Sequence, residues 1–123
     1  MTNLTKFDAP APDESNAIFL VNVVHVFEGQ QDAALDVLRS AVTYVAQAYP
    51  SFQWSRLFKS IDGKTVINQA QWSSKEEFDS LFSDEQFLSR YNRLKETGTW
   101  EFHLYKVNDY IPADYTPAVA ALA

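Results

Sequence analysis

Two amides and an indole stand where strand statistics favour aliphatic residues. Asn22 lies inside LVNVV, and Asn68 and Trp72 lie inside VINQAQW. Asparagine is depleted in strands and costly to bury unless its amide finds partners, so each position calls for a reason. Alternation along an extended chain places Asn68, Ala70 and Trp72 on one face, and Asn22, Val24 and Val26 together on one face of another strand. Taken singly, each amide is best read as serving a bulge or a neighbouring backbone group, with Trp72 as core. Taken together, two neutral amides and an indole N–H can line a dry pocket and hold an oxygen atom that gains negative charge.

Other chemistries find less support among the 123 residues. The two histidines, His25 and His103, each stand alone in a strand-like stretch, without a second ligand at i+2 or i+4. A metal site needs three or four converging ligands, so no metal is expected. Cysteine is absent, which removes disulfides, thiolate nucleophiles and Cys-ligated clusters. Gly29, Gly63 and Gly98 are isolated, so no glycine-rich loop brings backbone N–H groups to a nucleotide phosphate. No nucleophile elbow or Ser–His pairing is visible, and the acidic residues gather in helix first turns and on exposed faces. A formal net charge of −6 without a Lys/Arg cluster disfavours nucleic acid. The N-terminal stretch is not signal-like and no apolar run reaches spanning length, so a cytoplasmic protein without membrane contact is expected.

The elements that must position these residues follow from periodicity. A polar, proline-bearing stretch over residues 1–16 is expected to be a flexible tail. AIFLVNVVHVF, 17–27, has the composition of a strand buried on both faces. Leu35, Leu38, Val42 and Val45 predict a helix over 30–49, ended by Pro50. Residues 51–61 alternate, with Phe52, Trp54, Arg56 and Phe58 on one side and Gln53, Ser55 and Lys59 on the other. Asp62 and Gly63 mark a tight hairpin turn to a strand over 64–72. Ser73 or Ser74 begins a short helix, Ser83 and Asp84 begin another running to about Thr97 and closed by Gly98, and WEFHLYKVN, 100–108, is the last strand. Residues 109–123 form a C-terminal tail placed to lie across a neighbouring subunit.

Strand, helix, strand, strand, helix, strand is an α+β, ferredoxin-like split βαβ order: a four-stranded antiparallel sheet with helices on one face. The other face would leave more apolar surface in water than a monomer normally tolerates, which predicts a homodimer packed face to face. Arg56, alone among aromatics, is expected to pair with a carboxylate across that barrel.

The stretch from Ile18 to Val107 resembles the antibiotic biosynthesis monooxygenase (ABM) domain, a dimeric α/β barrel. The matching features are Asn22 seven residues before Gly29, the AYPSF turn, the Asp62–Gly63 hairpin and VINQAQWSSKEEF. The last is similar to the N-x-x-x-W segment of anthrone oxygenases from aromatic polyketide pathways. That resemblance implies Asn22, Asn68 and Trp72 as the catalytic set. It also implies cofactor-independent oxygenation by O2 of a small aromatic, anthrone- or quinol-type substrate to a quinone. Gln69 departs from relatives that carry an aromatic there, which bears on the substrate's outline. A heme-degrading branch shares Asn22 and Trp72 but places a helix histidine where this chain has Tyr91, so that activity ranks lower. Spacings of three and four make Phe87, Leu88, Tyr91 and Leu94 the expected walls of a substrate slot. A polyketide cyclase and a non-catalytic ligand-binding or stress-response relative are the alternative readings on the same barrel.

Overall fold

A computed structural model of the chain describes residues 16–116. Of the two predicted tails, residues 1–15 and 117–123 lie outside the described residues. The elements run β1 (Ile18–Val26), α1 (Gln31–Ala48), β2 (Phe52–Lys59), β3 (Thr65–Trp72), α2 (Lys75–Ser80), α3 (Glu85–Tyr91) and β4 (Gly98–Tyr105). A 3₁₀ turn, Leu81–Ser83, joins α2 to α3, and another, Asn92–Glu96, follows α3. The strands form one antiparallel sheet in the order β2-β3-β1-β4, the ferredoxin-like α+β arrangement. No helix among the described residues is long and apolar enough to cross a membrane.

The core lies between the helices and one sheet face. Leu20, Val24, Val66 and Ala70 project from the central strands onto Leu35, Leu38, Ala41 and Val45 of α1, the stripe that a 3.6-residue period lays along one helix face. Ser74 caps α2 by accepting from the Glu77 N–H, and Asp84 caps α3 by accepting from the Gln86 and Phe87 N–H groups. Beyond β4, residues 106–116 carry no helix or strand, and Val107, Tyr110 and Ile111 are exposed there.

The sequence-based elements need four adjustments. The first strand is fully covered on one face only: Leu20, Asn22 and Val24 are buried under the helices, whereas on the open face Phe19 is buried beside Trp54, Val21 and Val23 are half-buried and His25 is exposed. A register shift between Phe52 and Trp54 breaks the alternation of β2. Phe52 therefore packs on the helix side against Trp72, while Trp54 turns to the open face, its ring tilted against Phe19 and its Nε1 donating to Gln71. Arg56 follows it there, its guanidinium 5.2 Å from the Trp54 ring centre. The last helix ends at Tyr91 rather than Thr97, tightening into the 3₁₀ turn.

Gly98, finally, is not a left-handed cap, because among the described glycines only Gly29 and Gly63 have positive φ. Gly98 opens β4, where a Cβ would sit 2.2 Å from the His25 carbonyl oxygen. Its role is close approach of two backbones rather than unusual torsion. In the hairpin, Gly63 alone supplies positive φ (79°), and Ser60 and Asp62 satisfy the Lys64 N–H.

Candidate active site

Pairing of β1 with β3 sets Asn22 directly opposite Asn68. Both side chains point to the helix side, where cross-strand partners come within roughly 5 Å at Cβ, and both are buried. Four residues along β3, two pleats away, Trp72 lies on the same face and is 2% exposed. Its indole is boxed edge-on by Tyr49, Phe52 and Phe78 at 6.0, 5.6 and 5.5 Å between ring centres. The three residues line one cavity together with Leu20, Phe82, Phe87, Tyr91 and Phe102.

Each amide is held by a hydroxyl from another element. Ser55 on β2 stands opposite Ala70, diagonal to Asn68, and donates its hydroxyl proton to Asn68 Oδ1. With the oxygen engaged, the Asn68 NH2 is the half of the amide left for a ligand. Asn22 Nδ2 donates to the Tyr91 hydroxyl at 2.9 Å, across 69 residues of chain. Asn22 Oδ1 and Trp72 Nε1 are buried and have no hydrogen-bond partner. An unsatisfied buried donor or acceptor costs about 1–3 kcal/mol, so two of them at one apolar cavity call for a polar partner there, water or a ligand.

The site's electrostatics are those of neutral dipoles. No carboxylate, histidine or lysine lines the cavity, and its one titratable group is Tyr91. Burial pushes that phenol up to about 12, against a smaller opposing effect of the Asn22 hydrogen bond. At neutral pH Tyr91 is therefore an uncharged hydroxyl and not a base. The cavity volume is about 40 Å³, room for roughly three waters at about 10–15 Å³ each. A flat multi-ring ligand requires a wall to move. Phe82 is the most exposed of the lining side chains, at 41%; it sits on the 3₁₀ turn between two short helices and lies parallel on Phe102 at 5.6 Å.

The expected slot walls separate into two pairs. Phe87 and Tyr91 line the cavity, with their rings stacked at 5.1 Å. Leu88 packs against the core without lining the cavity, and Leu94 is fully buried in it, because the switch to 3₁₀ geometry after Tyr91 rotates Leu94 away from the Phe87 face. His25 and His103 lie on the open face, the latter 3.6 Å from Glu101. Among the described residues, no three His, Cys, Asp or Glu side chains gather as a metal site.

No protein family's sequence profile matches the chain, and no curated protein matches it. Solved structures do. SnoaB, a cofactor-independent oxygenase from Streptomyces nogalater, superimposes with a TM-score of 0.71 at 21% identity, over 80% of this chain and 99% of that one. A monooxygenase from the gene ActVA-Orf6 of Streptomyces coelicolor, solved with nanaomycin D, gives 0.67 at 19%, over 80% and 93%. A candidate antibiotic biosynthesis monooxygenase from Chloroflexus aurantiacus gives 0.62 at 15%, over 75% and 93%. The chain has the fold of the antibiotic biosynthesis monooxygenases.

The residues around the candidate site that sequence reasoning missed are Ser55, Phe82 and Tyr49. Ser55 reads as a polar strand residue, and only the register of β2 on β3 brings it to Asn68. Phe82 reads as the end of a short apolar helix. Tyr49 reads as the last residue of α1, yet its ring meets Trp72 and its hydroxyl meets Asp84.

Proposed function

We propose that the chain is a cofactor-independent monooxygenase that oxidises an anthrone- or quinol-type aromatic substrate to a quinone with O2. The observation that carries this reading is the pairing of two unpartnered polar atoms, Trp72 Nε1 and Asn22 Oδ1, with a cavity otherwise walled by aromatic and aliphatic groups. The fold shared with SnoaB and the ActVA-Orf6 monooxygenase supports it. The substrate, O2 and water balance: an anthrone methylene loses two hydrogens and gains one oxygen atom, and the second oxygen atom leaves as water.

Dioxygen is a triplet and reacts slowly with closed-shell molecules unless they surrender an electron easily, which the anthrone enolate does. The Asn68 NH2 and the Trp72 N–H would donate to the oxygen that becomes anionic, stabilising the enolate through dipoles fixed before it forms. Asn22 Oδ1, held by Tyr91, would accept from a substrate hydroxyl. Phe87, Tyr91 and Phe102 would flank the ring system, and Phe82 would close over it and exclude water while the radical pair collapses to a hydroperoxide. Tyr91, a neutral phenol, leaves the enolising proton to the substrate's own acidity and to solvent. The working unit in this reading is a homodimer, with the open sheet face, Val21, Val23 and Ile67 at its centre, covered by a second copy.

The test is oxygen uptake by the protein with a dihydroxyanthrone, followed alongside quinone absorbance, for wild type, Asn68→Ala and Trp72→Phe. Uptake that tracks quinone and collapses in both variants supports the reading. Uptake at the spontaneous rate with a ring-closed product would instead favour a cyclase.

A further inference from the structure

Asp84 does more than cap α3. Its Oδ1 takes the Gln86 and Phe87 N–H groups, while its Oδ2 accepts from two phenols at once, Tyr44 at 2.7 Å and Tyr49 at 2.5 Å. Those hydrogen bonds hold the carboxyl down at about 2 and raise the Tyr44 phenol, while burial first and the Asp84 hydrogen bond second push Tyr49 up to about 12. The two rings are also in series. Tyr49 meets the pocket's Trp72 edge-on at 6.0 Å between ring centres, and Tyr44 meets Tyr49 at 6.4 Å. Tyr44 in turn opens onto an outer groove shared with Asp36, Arg39, Thr43 and Gln47. None of this cluster except Trp72 is used in the oxygenation described above.

We propose that Trp72, Tyr49 and Tyr44, with Asp84 as their shared proton acceptor, form a path that carries a one-electron oxidation out of the pocket to the protein surface. Its use in the cell rests on the oxygenase reading, in which a substrate peroxyl radical that escapes collapse is the oxidant for Trp72 and leaves, with one proton from solvent, as the hydroperoxide.

The steps balance. The oxidant removes one electron from Trp72, leaving an indole radical cation. Tyr49 returns that electron to the indole, and its phenolic proton moves along the existing hydrogen bond to Asp84 Oδ2, leaving a neutral tyrosyl radical beside a carboxylic acid. An electron then passes from Tyr44 to Tyr49. The proton on Asp84 returns to Tyr49, and the Tyr44 proton takes its place on the same oxygen atom. A thiol-class reductant in solution finally reduces the Tyr44 radical, and the Asp84 proton restores the phenol.

Proton management selects this route over its competitor. Tyr91 lines the pocket and touches Trp100, but its hydroxyl faces the Asn22 NH2, a donor, and no carboxylate receives its proton. A phenol that cannot shed its proton is a poor electron donor, because the bare radical cation is a very strong acid. Arg90, whose guanidinium lies 4.7 Å from the Tyr44 ring centre, acts in the same sense: it opposes a cationic ring there but tolerates a neutral radical.

The experiment needs no substrate, so its failure is distinguishable from failure of the oxygenase reading. In Trp54→Phe/Trp100→Phe protein, Trp72 is the sole tryptophan. A laser flash at the red edge of indole absorption, where phenols are transparent, ionises Trp72, and transient absorbance follows the indole and tyrosyl radicals. The expected result is decay of the indole radical matched by rise of a tyrosyl radical, with that rise lost in Tyr49→Phe and retained in Tyr91→Phe. In Tyr44→Phe the tyrosyl radical should still form but be quenched more slowly by added thiol. Unchanged kinetics in Tyr49→Phe, or loss of the tyrosyl signal in Tyr91→Phe instead, would overturn the path. Circular dichroism of each variant checks that the fold is retained.

Discussion

Removing the Ser55 hydroxyl tests the site without touching a group that contacts ligand. In the native protein this hydroxyl donates to Asn68 Oδ1 and so holds the amide with its NH2 toward the cavity. In Ser55→Ala that bias is lost, and it is worth about the net value of one hydrogen bond, 0.5–1.5 kcal/mol. At about 1.4 kcal/mol per tenfold in rate, kcat should fall roughly two- to tenfold. KM should change little, because the cavity walls are untouched. Asn68→Ala, which deletes the donor itself, should cost about 10²–10³ in kcat. The double variant should be no slower than Asn68→Ala alone, because Ser55 acts only through that amide. Ser55→Thr, which keeps a hydroxyl, should recover most of the loss. Initial rates of oxygen uptake over a range of dihydroxyanthrone concentrations separate the two constants, and thermal melts show whether stability falls by more than about 1 kcal/mol. Full kcat in Ser55→Ala beside a collapsed Asn68→Ala would refute the positioning argument. Additive losses in the double variant would refute it equally.

Three further outcomes follow from the structure. Asp84 has its pKa lowered from an ordinary 3.8 to about 2, chiefly by the Tyr44 and Tyr49 hydrogen bonds, so its contribution to stability is complete above the ordinary value and is lost as pH falls toward about 2. The gap in melting temperature between wild type and Asp84→Asn should accordingly be constant near neutrality and shrink between pH 3.8 and about 2; a gap that widens there would contradict the sign. Gly98→Ala should destabilise by about 1–3 kcal/mol through overpacking against the His25 carbonyl, measured by denaturant unfolding, and a neutral result would mean that β1 and β4 part freely. Sedimentation should give a dimer at micromolar concentration for wild type and a folded monomer for Val23→Glu, which places a carboxylate at the centre of the open face; a monomeric wild type would remove the barrel arrangement.

Much of the site was legible because strands obey a period of two. Parity alone put Asn68, Ala70 and Trp72 on one face, and that face is the one the helices cover. The same rule failed in β2, where one extra residue between Phe52 and Trp54 flipped every later side chain and exchanged the predicted faces of Trp54, Arg56 and Phe58 against Phe52. A bulge leaves no mark in an alternating sequence, so neither the separation of Phe52 from Trp54 and Arg56 nor the approach of Ser55 to Asn68 could be read in advance. Helical spacing failed in a similar way after Tyr91. Leu94 continued the apolar pattern, but the chain tightened to 3₁₀ and carried it into the core.

What local sequence determined by itself was therefore the order of elements, the helix starts at Ser73 or Ser74 and at Ser83–Asp84, and the facing of residues along unbroken strands, because these depend on backbone sterics and on hydrogen bonds a few residues away. Tertiary structure alone decided the partners. Asn22 meets Tyr91 across 69 residues, Tyr49 meets Asp84 across 35, and Ser55 meets Asn68 through the register of a bulged strand. Those contacts form only when helices and sheet pack to exclude water, and the burial that creates them also leaves Trp72 Nε1 and Asn22 Oδ1 without partners inside the cavity.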